Sequence, residues 1–287
     1  MKRPPASSSS IYTYLYVPFI FSGTKGTLLL GWKMGHSLPS FTLRLSFSVS
    51  ESNHSDRNIH IKVSTKEKGE WGLPFYWGVD SAEKVTKETY DCVLYNFGKP
   101  LFWGRYLSPI PGKVAGLTRD EAELLHNSGT KVLPIFSNFS RATGYRNGRV
   151  IAQNCVFHAR RLGIPKGKII FANLEKDFEI DEGWIRGFID AMFPSGYKPG
   201  VYADPVHGEF SNAYCEAAAR DEKVSVQLVI WSAEPEPGVT KARQAPKFNP
   251  HQPPCKANVW GWQYGRNSAV CPIDTNLFDR RLYDMLW

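Results

Sequence analysis

The 287-residue chain lacks the short motifs that announce several large enzyme classes. It has no Gly-rich phosphate loop and no Gly-x-Ser-x-Gly elbow, which removes the usual signatures of nucleotide hydrolysis and of serine esterases. Its seven His show no His-x-x-x-His spacing, so no metal site is expected, and no motif calls for a cofactor. Its five Cys (92, 155, 215, 255 and 271) include no Cys-x-x-Cys, which argues against zinc or thioredoxin-like chemistry. Cys255 and Cys271 precede strands that read as adjacent and parallel, and these two can be bridged. Cys155 and Cys215 fall on helices that read as buried, where reduced thiols are at home. At most one disulfide is expected, and the odd count leaves a thiol free. No apolar run is long enough to span a bilayer; the longest near the start, Ile11–Phe21, has about eleven residues.

Charge and composition then divide the chain. The net charge of +8 is uneven: residues 1–70 carry nine Lys/Arg against four Asp/Glu, or +5, whereas residues 71–287 carry twenty-six against twenty-three, or +3. The first seventy residues also hold thirteen Ser and one Ala, against ten Ser and eighteen Ala in the rest. Residues 51–70 are polar with no sustained period, and Met1-Lys2-Arg3 before a short apolar run only superficially resembles a signal peptide. Residues 1–70 therefore read as a poorly structured, Ser-rich basic leader, and residues 71–287 as a single folded domain. No stripe of basic residues interleaved with aromatics is visible, so a nucleic-acid partner is not expected.

From Trp71 onward short β-branched or aromatic runs alternate with loops and helical patterns. The candidate strands are Phe75–Ser81, Leu101–Ser108, Lys131–Ser137, Lys168–Glu175, Gly200–Pro205, Val226–Ser232, Asn258–Tyr264 and Pro272–Phe278. Thr118 and Glu121 form a capping box that opens a helix ending near Gly129. Gly148–Leu162 carries Ile151, Cys155, Phe157, His158 and Leu162 near one stripe and stops at Gly163. Asp181 opens a helix through Met192 with Trp184, Ile185, Phe188 and Ile189 on its apolar face. Phe210–Arg220 is Ala-rich. About eight strands alternating with helices predict a TIM-like (β/α) barrel, irregular because several connections are too short for a helix.

Barrel chemistry sits at the C-terminal strand ends. There the chain places Asp80, Asn173 with Glu175, Asp204, Trp231, Gln263 with Tyr264, and Asp274. Strand side chains alternate, so Phe171, Asn173 and Glu175 share one face, toward the barrel mouth, while Ile170, Ala172 and Leu174 face the helices.

These segments resemble a known family. The ending WGWQYG (Trp260–Gly265) followed by CPIDTNLFD (Cys271–Asp279) is similar to the C-terminal signature of family 25 glycoside hydrolases, the lysozyme-like muramidases. WGVDSA (Trp77–Ala82), FWGRYLS (Phe102–Ser108), LPIFSNF (Leu133–Phe139), IIFANLE (Ile169–Glu175), YKPGVYADP (Tyr197–Pro205) and VIWSAEPEPG (Val229–Gly238) together resemble a bacterial glycoside-hydrolase-like domain family (domain of unknown function 1906) related to those muramidases. The resemblance implies a barrel that hydrolyses cell-wall glycan by a retaining, substrate-assisted or nucleophilic route. It implies Glu175 as general acid, favoured in its protonated form by burial against Phe171 or Trp231, with Asp80 and Asp274 as companion carboxylates. Where the muramidases carry Asp, this chain has Asn173, which leaves open a weak or inactive glycan-binding barrel.

Each residue has a plainer role open to it. Glu175 can anchor a loop by pairing with Arg105, Asp80 can cap a turn, and Asp274 can hold an Asp-Thr-Asn turn. Asp177 is a further candidate for a second carboxylate. Trp231, Trp262, Tyr264, Gln263, Tyr202, Asp204 and Arg105 are the candidate substrate-binding residues, because sugar rings stack on aromatic faces and polar groups fix their hydroxyls. His126 and His158 read as partly buried helix residues. The expected partner is a carbohydrate polymer and the expected state a monomer located outside the cell or at its wall.

Overall fold

Eight runs rich in β-branched and aromatic residues form strands between Phe75 and Asp279, and each leaves a polar side chain at the same end. The computed structural model describes residues 75–287 throughout and, of the preceding segment, the backbone of three strands. The chain divides into two units, Met1–Gly72 and Leu73–Trp287. In the first, β1 (Lys25–Trp32), β2 (Phe41–Val49) and β3 (Ile59–Lys62) pair antiparallel in that order. Apart from these strands, the leader expected over residues 1–70 lies outside the described residues.

The second unit is a closed barrel of β4 (Phe75–Asp80), β5 (Phe102–Tyr106), β6 (Lys131–Phe136), β7 (Ile169–Asn173), β8 (Lys198–Ala203), β9 (Val229–Ser232), β10 (Asn258–Gly265) and β11 (Asp274–Asp279). Helices α1 (Lys87–Asn96), α2 (Arg119–Asn127), α3 (Tyr145–Leu162), α4 (Glu182–Met192), α5 (Phe210–Arg220) and the short α6 (Lys223–Gln227) cross over between the first six strands, and α7 (Arg280–Met285) ends the chain. The β9–β10 connection carries only a 3₁₀ turn. β11 runs antiparallel to both neighbours, which corrects the expectation of a parallel last pair. Eight residues separate β10 from β11, too few for a crossover, so the chain doubles back. That reversal has a consequence for function: it brings Asp274, the first residue of β11, level with Asp80, the last of β4.

Alternation along the strands sorts the core into two shells. Phe102, Leu133, Ile135, Ile169, Phe171, Val229, Trp231 and Phe278 fill the barrel interior, closed at the far end by Leu282 and Leu286. Val79, Trp103, Ile170, Ala172, Leu174, Val201 and Ile230 face the helices. α2 opens at the expected Thr118–Glu121 capping box, and α4 at Asp181, whose carboxylate also accepts the Gly144 N–H at 2.8 Å before α3. α1 carries a second capping box, Thr86 with Thr89. α3 and α4 touch backbone to backbone: a Cβ on Gly148 would lie 2.1 Å from Trp184 O. Phe157, expected on the apolar stripe of α3, is instead 63% exposed, because it sits about 200° around the helix from buried Cys155. His158 is half-buried as expected, whereas His126 is exposed and meets the ring of Trp287 edge-on.

Two disulfides, Cys92–Cys271 and Cys215–Cys255, replace the expected single Cys255–Cys271 bridge. Cys92 lies on α1, which packs beside the β10–β11 turn, and Cys215 faces the long β9–β10 loop. Only Cys155 is free and buried.

Space inside the mouth depends on one glycine. A Cβ on Gly104 of β5 would stand 2.6 Å from the Cβ of Asp80. Gly104→Ala is expected to destabilise the fold by about 1–3 kcal/mol and to displace Asp80. Urea unfolding together with an activity measurement checks this, and the expected pattern is a loss of activity beyond what the unfolded fraction explains.

Candidate functional site

The strand ends converge on a polar pit in the barrel mouth. Gln263 is its organising amide. Its Oε1 accepts from Tyr202 Oη at 2.6 Å and from Arg266 Nε at 3.0 Å. With the carbonyl so occupied, its Nε2 donates to Asp80 Oδ2 at 3.0 Å and to Asp274 Oδ2 at 3.1 Å. Asn276 completes the set: Trp231 Nε1 donates to its Oδ1 at 3.0 Å, and its Nδ2 donates to Asp80 Oδ2 at 2.8 Å. Asp274 Oδ1 accepts from the Asn267 N–H at 2.7 Å. Both side-chain donors that reach Asp80 therefore land on one oxygen, and Oδ1 is left without a protein side-chain donor.

This arrangement changes which form of Asp80 is favoured. Burial, together with the Asp274 carboxylate, pushes the Asp80 carboxyl up to about 7, against the opposing pull of Asn276, Gln263 and Arg266. Asp274 is also held above its ordinary range, chiefly by burial, with the Asn267 N–H and Arg266 opposing. The two carboxylates share a site in which one proton is retained near neutrality. With Oδ2 occupied by two donors, Oδ1 is the Asp80 oxygen left to carry that proton and to offer it as a hydrogen-bond donor. Burial also raises the phenols of Tyr106 and Tyr202, so both stay protonated donors.

On the opposite side, Asn173 Nδ2 donates to Ser137 Oγ at 3.0 Å and to Glu175 Oε1 at 2.7 Å. Both N–H groups are spent on protein, so the Asn173 carbonyl is free to accept from a ligand. Glu175 lies two residues past β7 and is exposed. The enclosure by Phe171 and Trp231 expected around it is absent, because those rings lie deeper in the interior.

Three cavities meet at Glu175. The pit, about 170 Å³, is lined among others by Asp80, Tyr106, Asn173, Trp231 and Asp274. An arm of about 430 Å³ extends past Tyr106 to Phe139, Phe178, Ser137 and Lys113. A second arm, of about 210 Å³, passes Tyr202 and Arg266 to Lys176, Asp177 and Asp204. Glu175 lines all three, so a chain lying across the mouth passes over its carboxyl.

Of the residues singled out in the sequence, Asp80, Asn173, Glu175, Tyr202, Trp231, Gln263 and Asp274 line the pit together. Asp204 and Asp177 line the second arm. Trp262 and Tyr264 do not reach the mouth: they belong to the outer shell, Trp262 donating to Pro235 O and Tyr264 Oη bonded to Trp77 and Thr240. Arg105 also points outward and is wholly buried, in an ion pair with Glu121 and hydrogen bonds to Ser81 O, Ala82 O and Ala115 O. It is a loop anchor and leaves Glu175 unpaired with it. Tyr106, Arg266 and Asn276 were not anticipated. Tyr106 and Asn276 were within reach of the alternation rule, two residues from Gly104 and Asp274, whereas Arg266 follows the strand and had no signal.

Asp204, His207 and Glu234 offer ligand atoms within 4.8 Å of one another. His207 Nδ1 is 2.9 Å from Asp204 Oδ2, and Asp204 Oδ1 accepts from the Val206 and His207 N–H groups. Asp204 and His207 are thus satisfied within their own loop, and Glu234 Oε1 stands 3.9 Å from His207 Nδ1.

The chain matches the Rv2525c-like, glycoside hydrolase-like domain family over residues 100–275. No curated protein matches it. Among solved structures, an uncharacterized B. stearothermophilus protein is 57% identical with a TM-score of 0.73, the overlap covering 74% of this chain and 100% of that one. The spore cortex lytic enzyme SleM of Clostridium perfringens overlaps 72% of this chain and 68% of its own at 12% identity and a TM-score of 0.47. The catalytic domain of endolysin ply40 from a Listeria monocytogenes bacteriophage overlaps 73% of this chain and 96% of its own at 17% identity and a TM-score of 0.45. The last two overlaps are too loose to carry an inference about this chain.

Proposed function

This chain belongs to the Rv2525c-like, glycoside hydrolase-like domain family, and on that premise we propose that it cleaves the glycan of bacterial cell walls, with Glu175 as proton donor. The observation that carries the reading is the junction of three cavities on the Glu175 carboxyl, opposite a pit holding two carboxylates. Glu175 Oε1 is taken by Asn173, which leaves Oε2 to protonate the glycosidic oxygen. The Asn173 carbonyl accepts the N–H of a 2-acetamido group and turns the acetamido oxygen toward the anomeric carbon. That oxygen attacks as the C1–O bond breaks, the leaving oxygen takes the Glu175 proton, and a ring intermediate forms on the substrate. Glu175, now a carboxylate, removes a proton from the water that opens the ring, and configuration is retained. Asp80 donates from Oδ1 to the bound sugar at the pit floor.

Asn173 sets the speed of such a route. A carboxylate at ~4 Å would stabilise the charged intermediate by about 1 kcal/mol in water and about 4 at an effective dielectric of 20, so the amide is slower by roughly five-fold to nearly a thousand-fold. The two disulfides suit an oxidising compartment and so support a location outside the cytoplasm or at the wall.

The test uses purified peptidoglycan and borohydride. Incubation with the protein is expected to create new reducing ends, read as hexosaminitols after reduction and acid hydrolysis. Retention of the protein on the wall with no new ends would establish a glycan-binding barrel in place of an enzyme.

A further inference from the structure

A cavity of about 600 Å³ lies away from the mouth and shares none of its lining residues. It lies along the lower half of α3, beside the end of α4, and is lined by Gln153, Val156, Phe157, Arg160, Arg161 and Ser195 among others. α3 carries Arg146, Arg149, Arg160 and Arg161 in eighteen residues and no Asp or Glu. The sequence shows no obvious basic cluster, because these four are spread over sixteen positions; the helix aligns them on its exposed side over roughly 22 Å. Arg119 donates to Arg161 O at 3.1 Å, and the Lys166 side chain lies against Gly196, next to Ser195. Among the described residues none of Arg119, Arg146, Arg149, Arg160, Arg161 or Lys166 has a carboxylate within ion-pair distance.

The mouth has the opposite character. Asp80, Glu175 and Asp274 line the pit, and Asp177 and Asp204 the arm beside it, so five carboxyl groups stand there against Arg266, Lys176 and Lys113. Helices in the barrel run against the strands, so Arg160 and Arg161, at the end of α3, lie toward the strand starts and away from that acidic mouth. Within the barrel, a polyanion is therefore favoured at the α3 groove over the mouth. Arg160 and Arg161 line the groove with no carboxylate partner among the described residues, and Arg149 and Arg146 continue the basic face along α3; guanidinium groups pair with phosphate in two-pronged fashion. The groove offers little for base stacking: Phe157 is exposed, but Phe193 is covered by the Lys198 ammonium 4.9 Å from its centroid, and Tyr145, at the start of α3, is flanked by Arg149 and Arg186, whose guanidinium carbons lie 6.0 and 5.8 Å from its centroid. A single-stranded nucleic acid site would interleave several rings with its cations.

We propose that this α3 groove docks a linear phosphodiester polymer of the bacterial wall, which holds the barrel at the wall with its mouth free. Naming the wall as the source rests on the glycan-cleavage reading; the electrostatics of the groove do not. The test is the affinity of the full chain for a poly(glycerol phosphate) oligomer, measured by fluorescence anisotropy over a salt series. Binding needs no turnover, so failure here and failure of the hydrolase reading are separate results. The Arg160→Gln/Arg161→Gln variant is expected to bind about tenfold or more weakly, and its log–log salt slope should fall by about 1.4, since each lost contact removes about 0.7. A Lys87→Gln/Lys223→Gln control, which removes two paired surface cations elsewhere, should bind as the parent does. Unchanged affinity and slope in the arginine variant, or tighter binding of single-stranded DNA than of the glycerol phosphate polymer, would overturn the proposal.

Discussion

Glu175→Gln is expected to lower cell-wall glycan cleavage by about 10²–10⁴-fold, the usual contribution of a positioned general acid. Glutamine keeps an oxygen for the 2.7 Å hydrogen bond from Asn173, so the pit remains assembled. Glu175 is exposed and makes no ion pair among the described residues, so its replacement should leave the unfolding midpoint unchanged. Loss of rate without loss of stability is thus the specific signature. Reducing-end release gives the rate, and circular dichroism during heating gives the stability. Equal rates for the two proteins would remove Glu175 from the chemistry and leave the pit carboxylates as the remaining proton source.

Asp80→Asn is expected to do the reverse to stability while also reducing activity. In the fold Asp80 keeps its proton up to about 7, whereas its ordinary value is 3.8. Between those values the folded chain binds more protons than the unfolded one, so stability falls as pH rises. The cost is absent below about pH 4 and complete above about pH 7, with an upper bound of about 4 kcal/mol. Asparagine removes the titration, and its carbonyl can still accept from Gln263 and Asn276. The variant should therefore be the more stable protein near pH 8, with the difference vanishing near pH 4. Urea unfolding across that range checks the sign. A wild type that gains stability over the Asp80 variant as pH rises would show that the fold favours the Asp80 carboxylate over its protonated form. Its retention in the native chain then reads as stability given up at a functional site.

The barrel was legible because all eight strands carry β-branched or aromatic runs, and because Thr118, Asp181 and Gly163 mark helix ends with side-chain and backbone chemistry. α1 was missed because its Thr86–Thr89 box lacks the acidic residue that makes such boxes recognisable. The site was half legible, for a geometric reason. Neighbours on one strand cannot point the same way, so choosing Gln263 for the mouth excludes Trp262 and Tyr264, and placing Gly104 inside excludes Arg105 and admits Tyr106. The pairing of Asp274 with Asp80 depends on β11 running backwards, which the eight-residue connection after β10 implies once counted. Disulfide partners depend on which helix face meets which loop. No local pattern carries that information.

Leaving-group dependence separates proton donation by Glu175 from every other use of that residue. A dinitrophenyl aglycone departs as a stable anion and needs no proton, whereas a sugar hydroxyl does. Rates for parent and Glu175→Gln on one N-acetylated oligosaccharide, carrying either leaving group, form the measurement. The expected result is a large loss with the sugar leaving group and a small one with dinitrophenolate. Equal losses on both would contradict an acid at position 175.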